Sequence, residues 1–248
     1  MATNAGGVTT AAVQISHLTR RFGDRVVLDD LDLDIPRGQF VALLGHSGSG
    51  KSTLLRALAQ LDHDVEGSGE LRAPDQISVV FQDSRLLPWR RVLDNVLLGT
   101  SGKEAAQRGR QALAEVGLAG RERAWPGELS GGEAQRAALA RSLVWEPELL
   151  LADEPFGALD ALTRLRMHVL LRELCERHRP AVLLVTHDVD EAIVLADRIV
   201  LLEAGRISLD LTIDLEHPRS SRDPQLGRYR DQLLEALGVQ EDIAGVRS

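Results

Sequence analysis

Apolar positions along this chain gather into short unbroken runs, separated by longer stretches in which they recur every three or four residues. Phe40-Val41-Ala42-Leu43-Leu44, Leu149-Leu150-Leu151-Ala152 and Ala181-Val182-Leu183-Leu184-Val185 are apolar throughout, as strands buried on both faces should be. Val13-Gln14-Ile15, Ile77-Ser78-Val79-Val80 and Ile199-Val200-Leu201-Leu202 are further strand-type runs. Helix-type segments fall between them at Lys51 to Leu61, Gln135 to Val144, Leu162 to Arg177 and Val189 to Ala196. This βα rhythm predicts an α/β fold with a largely parallel sheet.

The rhythm breaks from about Leu86 to Val144, where helix formers such as those from Lys103 to Val116 dominate and little reads as strand. A helical insertion over about residues 86–145 is expected. After Ser208 the chain turns charged, and Pro218, Ser220, Ser221 and Pro224 mark a break before a last short helix expected near Tyr229 to Leu237.

Composition narrows the function classes. A length of 248 residues with 44% hydrophobic and 27% charged positions fits one packed domain. The net charge of −8 disfavours direct binding to nucleic acid or anionic lipid. No apolar run approaches the roughly 18–20 residues that cross a bilayer, and the small, polar stretch from Met1 to Ala12 is not expected to be a secretory signal. Cys175 is the single cysteine, so no internal disulfide or all-cysteine metal site can form; it is read as structural.

Gly45-His46-Ser47-Gly48-Ser49-Gly50-Lys51-Ser52, followed by Thr53, matches the phosphate loop G-x-x-x-x-G-K-[ST] and lies between a buried strand and a helix. Glycines let successive N–H groups turn inward, the helix start adds positive potential, Lys51 places a charge on the outer phosphates, and Ser52 offers a ligand for Mg²⁺. A nucleoside triphosphate is the expected ligand. The run ending in Asp153-Glu154 sets two carboxylates at the carboxyl edge of a parallel strand, where open α/β sheets bind ligands. Asp153 is expected in the Mg²⁺ shell and Glu154 as the group that polarises the attacking water. His187 follows another such strand and is expected to contact the γ-phosphate or orient Glu154 and the water. His17, His46, His63, His168, His178 and His217 are read as structural outside any role of the loop itself.

Leu129-Ser130-Gly131-Gly132-Glu133-Ala134-Gln135-Arg136 opens a helix and offers a hydroxyl and bare N–H groups, a second anion cradle; taken alone it is also a capped helix start. This octapeptide resembles the signature motif of the ABC (ATP-binding cassette) ATPases, and the resemblance runs from about Val13 to Leu209. It implies a P-loop NTPase core of the RecA-like kind with an antiparallel β subdomain and a helical insertion, residues 13–209 forming the ATPase domain and 210–248 a C-terminal extension. It further implies that Phe22 stacks on adenine, Gln82 is the Q-loop glutamine acting in catalysis and at Mg²⁺, Asp160 is the D-loop aspartate and His187 the switch histidine. Two copies pack head to tail in that family, so Ser130, Gly131 and Gly132 act on the partner's ATP. The family's usual glutamine is Glu133 here, a carboxylate that would disfavour the closed dimer unless it points away.

One cassette without a membrane span is similar to importers whose permease is a separate chain. Phe81-Gln82-Asp83-Ser84-Arg85-Leu86-Leu87-Pro88-Trp89 and Asn95 look like the loop of nitrate/sulfonate/taurine-type import ATPases that receives the permease. Leu87 to Val96 and Pro155 to Arg164 resemble most the group that imports aliphatic sulfonates, while taurine, nitrate and pyrimidine importers share much of these stretches. The implied partners are a second copy, permease subunits and, indirectly, a substrate-binding protein, with no nucleic acid; the implied place is the cytoplasmic face of the inner membrane. Trp89 is a candidate anchor for the permease contact, or else a core residue. Three rivals share part of this pattern: soluble ABC ATPases of DNA repair, metal-cluster assembly or translation, nucleotide kinases and GTPases, and non-hydrolysing cassettes. The first generally carry two cassettes, a coiled-coil insertion or a basic surface, and the second lack any reason for the signature helix.

Overall fold

The computed structural model describes residues 11–219 and 223–238 and sorts the strands into two sheets. Along the chain come β1 (Ala11–Phe22), β2 (Arg25–Pro36), β3 (Phe40–Leu44), α1 (Lys51–Leu58), β4 (Glu66–Arg72) and β5 (Ile77–Phe81). The helical stretch holds α2 (Val92–Val96), α3 (Ala105–Glu115) and α4 (Gly131–Leu143). Then follow β6 (Leu149–Asp153), α5 (Ala161–His178), β7 (Ala181–Val185), α6 (Val189–Leu195), β8 (Arg198–Glu203), β9 (Arg206–Thr212) and α7 (Pro224–Ala236).

The larger sheet runs β5-β6-β7-β3-β8-β9, parallel except for β9. Its central strands are apolar at every position because alternate side chains enter two different cores. Phe40, Ala42, Leu44, Leu150, Ala152, Val182 and Leu184 pack with the helical layer. Val41, Leu43, Leu149, Leu151, Ala181, Leu183 and Val185 face α1 and the smaller sheet. Each such leucine removed from water contributes about 1.5–3 kcal/mol, which anchors the carboxyl ends of β3, β6 and β7 side by side.

The smaller sheet is antiparallel, in the order β2-β1-β4. Val13-Gln14-Ile15 thus belongs to a twelve-residue strand outside the parallel sheet. β2 buries Leu28, Leu31, Leu33 and Ile35 while Asp30, Asp32 and Asp34 point outward or to the margin, an alternation that marks a half-buried strand and not a continuous apolar run. β4 reads Glu-Gly-Ser-Gly-Glu-Leu-Arg and carries almost no hydrophobic signal; its pairing with β1 is set by backbone hydrogen bonding at a sheet edge. α1 ends at Leu58, short of the expected Leu61. α7 begins at Pro224, earlier than the expected Tyr229, because Asp223 caps it, its carboxylate accepting from Gln225 N–H at 2.9 Å. Leu226 and Leu233 of α7 are buried in the main core, and β9 pairs with β8 through Thr212. Ser220 and Ser221 lie outside the described residues.

Candidate functional site

β3 delivers the chain into a loop that can exist only with glycine at two places. A Cβ on Gly45, whose φ is 150°, would lie 2.3 Å from the Leu202 carbonyl oxygen of β8; one on Gly50, at φ 112°, would lie 2.8 Å from the Val27 carbonyl of β2. Ser49 N–H donates to the His46 carbonyl at 3.2 Å, and Gly205 N–H donates to the Ser49 carbonyl at 3.1 Å, which pins the loop to the β8–β9 turn. Lys51 is buried, and its Nζ donates to the carbonyls of Gly45 at 2.6 Å and His46 at 2.9 Å. Burial lowers the ammonium's pKa, and the charges of Glu154 and Asp153 oppose that shift. Ser49 Oγ is buried without a partner. Ser47, Gly48 and Ser52 are exposed and Thr53 is half-buried, so the mouth of the loop opens to solvent.

The carboxyl end of β6, separated from β3 by β7, supplies both acids. Burial raises the Asp153 pKa, with Glu154 adding to the rise, while Arg85, Arg56 and Lys51 pull it down. Glu154 holds a left-handed φ of 45°, and its N–H donates to Val185 O of β7 at 2.9 Å. That backbone is costly for a residue with a side chain, and such conformations gather at functional sites. The turn aims Glu154 Oε2 at His187 Nδ1, 3.2 Å away, with His187 69% and Glu154 33% exposed, so the pair remains open to a ligand. Phe81 is in register with Asp153, and a Cβ on Gly157 would lie 3.1 Å from Gln82 Nε2. Gln82 therefore stands against the turn that follows Glu154. Asp153, Glu154, His187, Gln82 and the loop around Lys51 are gathered at one sheet edge.

The segment Ser130-Gly131-Gly132 lies at the N-terminus of α4, and among the described residues no hydrogen bond or salt bridge joins it to Gly45–Ser52. Ser130 and Gly131 are exposed, and a Cβ on Gly131 would meet nothing within 4 Å. Glu133 turns back along the helix: its Oε2 accepts from Ser130 N–H at 2.9 Å and lies 3.0 Å from Ser130 Oγ, and its Oε1 accepts from Arg121 at 3.1 Å. Asp160 caps α5, accepting from Leu162 N–H at 3.1 Å and Thr163 N–H at 3.0 Å. Phe22, at the end of β1, is 48% exposed.

Three sets of contacts around the site and its flanking loop were not visible in the sequence. Buried Gln135 donates from Nε2 to the carbonyls of Phe81 and Pro155, both at 2.8 Å, and so ties α4 to the segments that carry Gln82 and Glu154. Its place inside the signature octapeptide was the only hint. His46 makes a hydrogen bond from Nε2 to the Leu237 carbonyl at 3.0 Å, bringing the end of α7 against the phosphate loop. Asn95, fully buried, accepts from Leu87 N–H at 2.6 Å and donates to the carbonyls of Leu87, Arg90 and Arg91, clamping a loop that holds Trp89 out at 70% exposure. Trp89 is therefore not a core residue; it borders a cavity of about 250 Å³ shared with Arg91, Leu97 and Trp125. Cys175 is buried and its thiol is pushed up to about 12 by that burial, in keeping with a structural role. His168 is likewise buried, 2.8 Å from Glu191.

A family model described as ABC transporter matches residues 28–157. Over 241 residues the chain is 79% identical to an aliphatic sulfonates import ATP-binding protein, SsuB 2, of Streptomyces avermitilis, covering 97% of this chain and 96% of that one. A protein of the same name from Nocardia farcinica is 71% identical over 227 residues, covering 92% of this chain and 95% of its own. Among solved structures, the chain is similar to a dimeric post-hydrolysis ATP-binding cassette bound to ADP and Pi, with 31% identity, a TM-score of 0.69 and 82% and 100% of the two chains covered. It is also similar to an inward-facing metal-chelate type ABC transporter, with 27% identity, a TM-score of 0.74 and coverage of 82% and 84%.

Proposed function

The chain belongs to the ABC transporter family, and from that premise we propose that it is the ATP-hydrolysing subunit of an importer whose cargo is an aliphatic sulfonate. The observation that carries the ATPase reading is the meeting of Lys51, Asp153 and the Glu154–His187 pair at one sheet edge. The sulfonate reading draws on the 79% identical relative.

In this reading Lys51 exchanges the carbonyls of Gly45 and His46 for phosphate oxygens, and backbone N–H groups of the loop between Gly45 and Thr53 hold the phosphates while Phe22 stacks on the base. Buried Ser49 Oγ gains a partner. Glu154 orients and polarises the attacking water, and His187 holds Glu154 and contacts the γ-phosphate. Asp153, Ser52 and Gln82 carry oxygen donors at one sheet edge, the ligand type Mg²⁺ prefers, and would hold the ion once nucleotide is bound. When bound, Mg²⁺ neutralises charge on the phosphate oxygens. Ser130, Gly131 and Gly132 serve the ATP of a second copy, a reading supported by the dimeric cassette to which this chain is similar.

No helix among the described residues is long and apolar enough to cross a membrane. A permease supplies the channel in this proposal, docks at the Trp89 loop and holds the subunit at the cytoplasmic face of the membrane, and a substrate-binding protein delivers the cargo. Closure of two copies on ATP moves the helical insertions, and hydrolysis resets them.

Two assays test the reading. Purified protein is expected to hydrolyse ATP with a rate that falls about 10²-fold or more in Lys51→Ala and in Glu154→Gln; full activity in Glu154→Gln would remove Glu154 as the group acting on water. Uptake of labelled ethanesulfonate, taurine, nitrate and a pyrimidine is then compared in cells with and without the chain. Loss of ethanesulfonate uptake supports the cargo, and loss of one of the others reassigns it.

A further inference from the structure

Glu133 occupies the mouth of the signature helix as a resident anion. Its Oε2 lies 2.9 Å from Ser130 N and 3.0 Å from Ser130 Oγ, its Oε1 lies 3.1 Å from Arg121, and its own N–H donates to Ser130 Oγ at 3.3 Å. An ionised carboxylate only accepts hydrogen bonds, so the Ser130 hydroxyl must give its single proton to Glu133 to satisfy this contact. The hydrogen bonds from Ser130 and Arg121 hold the carboxyl below its ordinary value, which keeps it ionised at neutral pH. While that bond stands, the hydroxyl has no proton to offer a phosphate, and a negative charge sits beside the place the phosphate would take.

Two partners share the carboxylate, one on each oxygen. Arg121 comes from the connection between α3 and α4, and its side chain is 41% exposed against 23% for Glu133. It is a long arm with room to move, and it also donates to the Glu128 carbonyl at 3.3 Å. The carboxylate can therefore leave Ser130 without losing its counter-charge.

We propose that Glu133 is a positioning residue that sets the ATP concentration at which two copies close: its carboxylate competes with the γ-phosphate for the Ser130 hydroxyl, and Arg121 draws the carboxylate aside as the phosphate arrives. The inference rests on the reading that Ser130 meets the ATP of a second copy. A residue that merely caps α4 behaves differently. Glutamine at position 133 keeps an oxygen for Ser130 N–H, so the cap survives, and only the charge is removed. Capping alone predicts no change in the response to ATP; competition predicts tighter closure.

The test uses the full chain in the Glu154→Gln background, where ATP is not consumed, with dimer formation followed by sedimentation across an ATP titration. Adding Glu133→Gln is expected to lower the ATP concentration at half-dimerisation about fivefold or more and to weaken its dependence on salt, since one half-buried charge acting at hydrogen-bond range is removed. Arg121→Ala is expected to raise that concentration when Glu133 is present and to leave it unchanged when Glu133→Gln is present. A thermal melt of each variant without nucleotide verifies that α4 is still capped. An unchanged or higher midpoint in Glu133→Gln overturns the competition. Absence of dimers in both proteins at saturating ATP overturns the shared-site reading itself, an outcome recognisable because no titration appears at all.

Discussion

The two cradles of this chain use the same local chemistry at different depths. Around Gly45 and Lys51 the loop is enclosed by its own chain, with β8 and β2 carbonyls so close that a Cβ would strike them, a turn hydrogen bond from Gly205 and a lysine folded onto the loop's own oxygens. Around Ser130 the helix start stands exposed at its tip, held by a capping box and an arginine. A loop between a buried strand and a helix inherits its shape from the packing of the whole sheet. A helix N-terminus on an insertion is held by a few side-chain hydrogen bonds, and it leaves backbone donors for another surface to use. One cradle is enclosed by its own chain; the other, in the function proposed above, is half of a site.

Substitutions that act on one cradle and spare the other sharpen this contrast. Gly45→Ala has the largest expected effect, because its Cβ would strike a backbone oxygen at 2.3 Å: about 3 kcal/mol or more is lost from unfolding free energy in urea, together with nucleotide binding. An unaltered midpoint would mean that the loop is softer than the β8 contact implies. Ser130→Ala removes a cap worth about 1 kcal/mol, so modest destabilisation is expected with single-chain ATP binding intact and ATP-driven pairing lost; calorimetry and sedimentation separate the two. Retained pairing would argue that the hydroxyl is not part of the second cradle.

Asp153→Asn should move stability and activity in opposite directions. Burial and Glu154 raise the folded-state carboxyl above its ordinary value, so the folded chain binds this proton more readily than the unfolded chain does. The residue therefore detracts from stability once pH exceeds the folded-state pKa, and the penalty fades as pH falls through the window down to the ordinary carboxylate value. Asparagine is expected to stabilise the nucleotide-free chain at pH 7 by up to about 1 kcal/mol, with the gain closing at low pH, while ATPase activity drops. A gain that persists unchanged in acid would remove burial as its cause. Smallest for the fold is Gly131→Ala, whose Cβ meets nothing within 4 Å: unfolding is expected to shift by no more than about 0.5 kcal/mol, yet pairing on ATP should fail if a second copy's nucleotide must approach that backbone. Pairing as strong as that of the unmodified chain would leave the second cradle without a partner.

What the sequence determined by itself was whatever its local pattern encodes. Runs such as Phe40–Leu44 and Ala181–Val185 admit no polar residue because both of their faces are buried, so the parallel core was legible; the loop ending in Lys51-Ser52 and the acids Asp153-Glu154 were legible because their chemistry is contiguous in the chain. Tertiary structure decided what depends on partners far along the chain. β4 has no hydrophobic signature and is a strand only because β1 offers it a ladder. Gln135 became a tie between α4 and the segments that carry Gln82 and Glu154 through carbonyls of residues 54 and 20 positions away. Trp89 could be core or surface until Asn95 closed the loop beneath it. The direction of Glu133, on which the response to ATP is proposed to turn, was fixed by a serine three residues back and an arginine twelve residues back. Spacing states what residues can do, and only the fold brings their hydrogen-bonding partners within 3 Å.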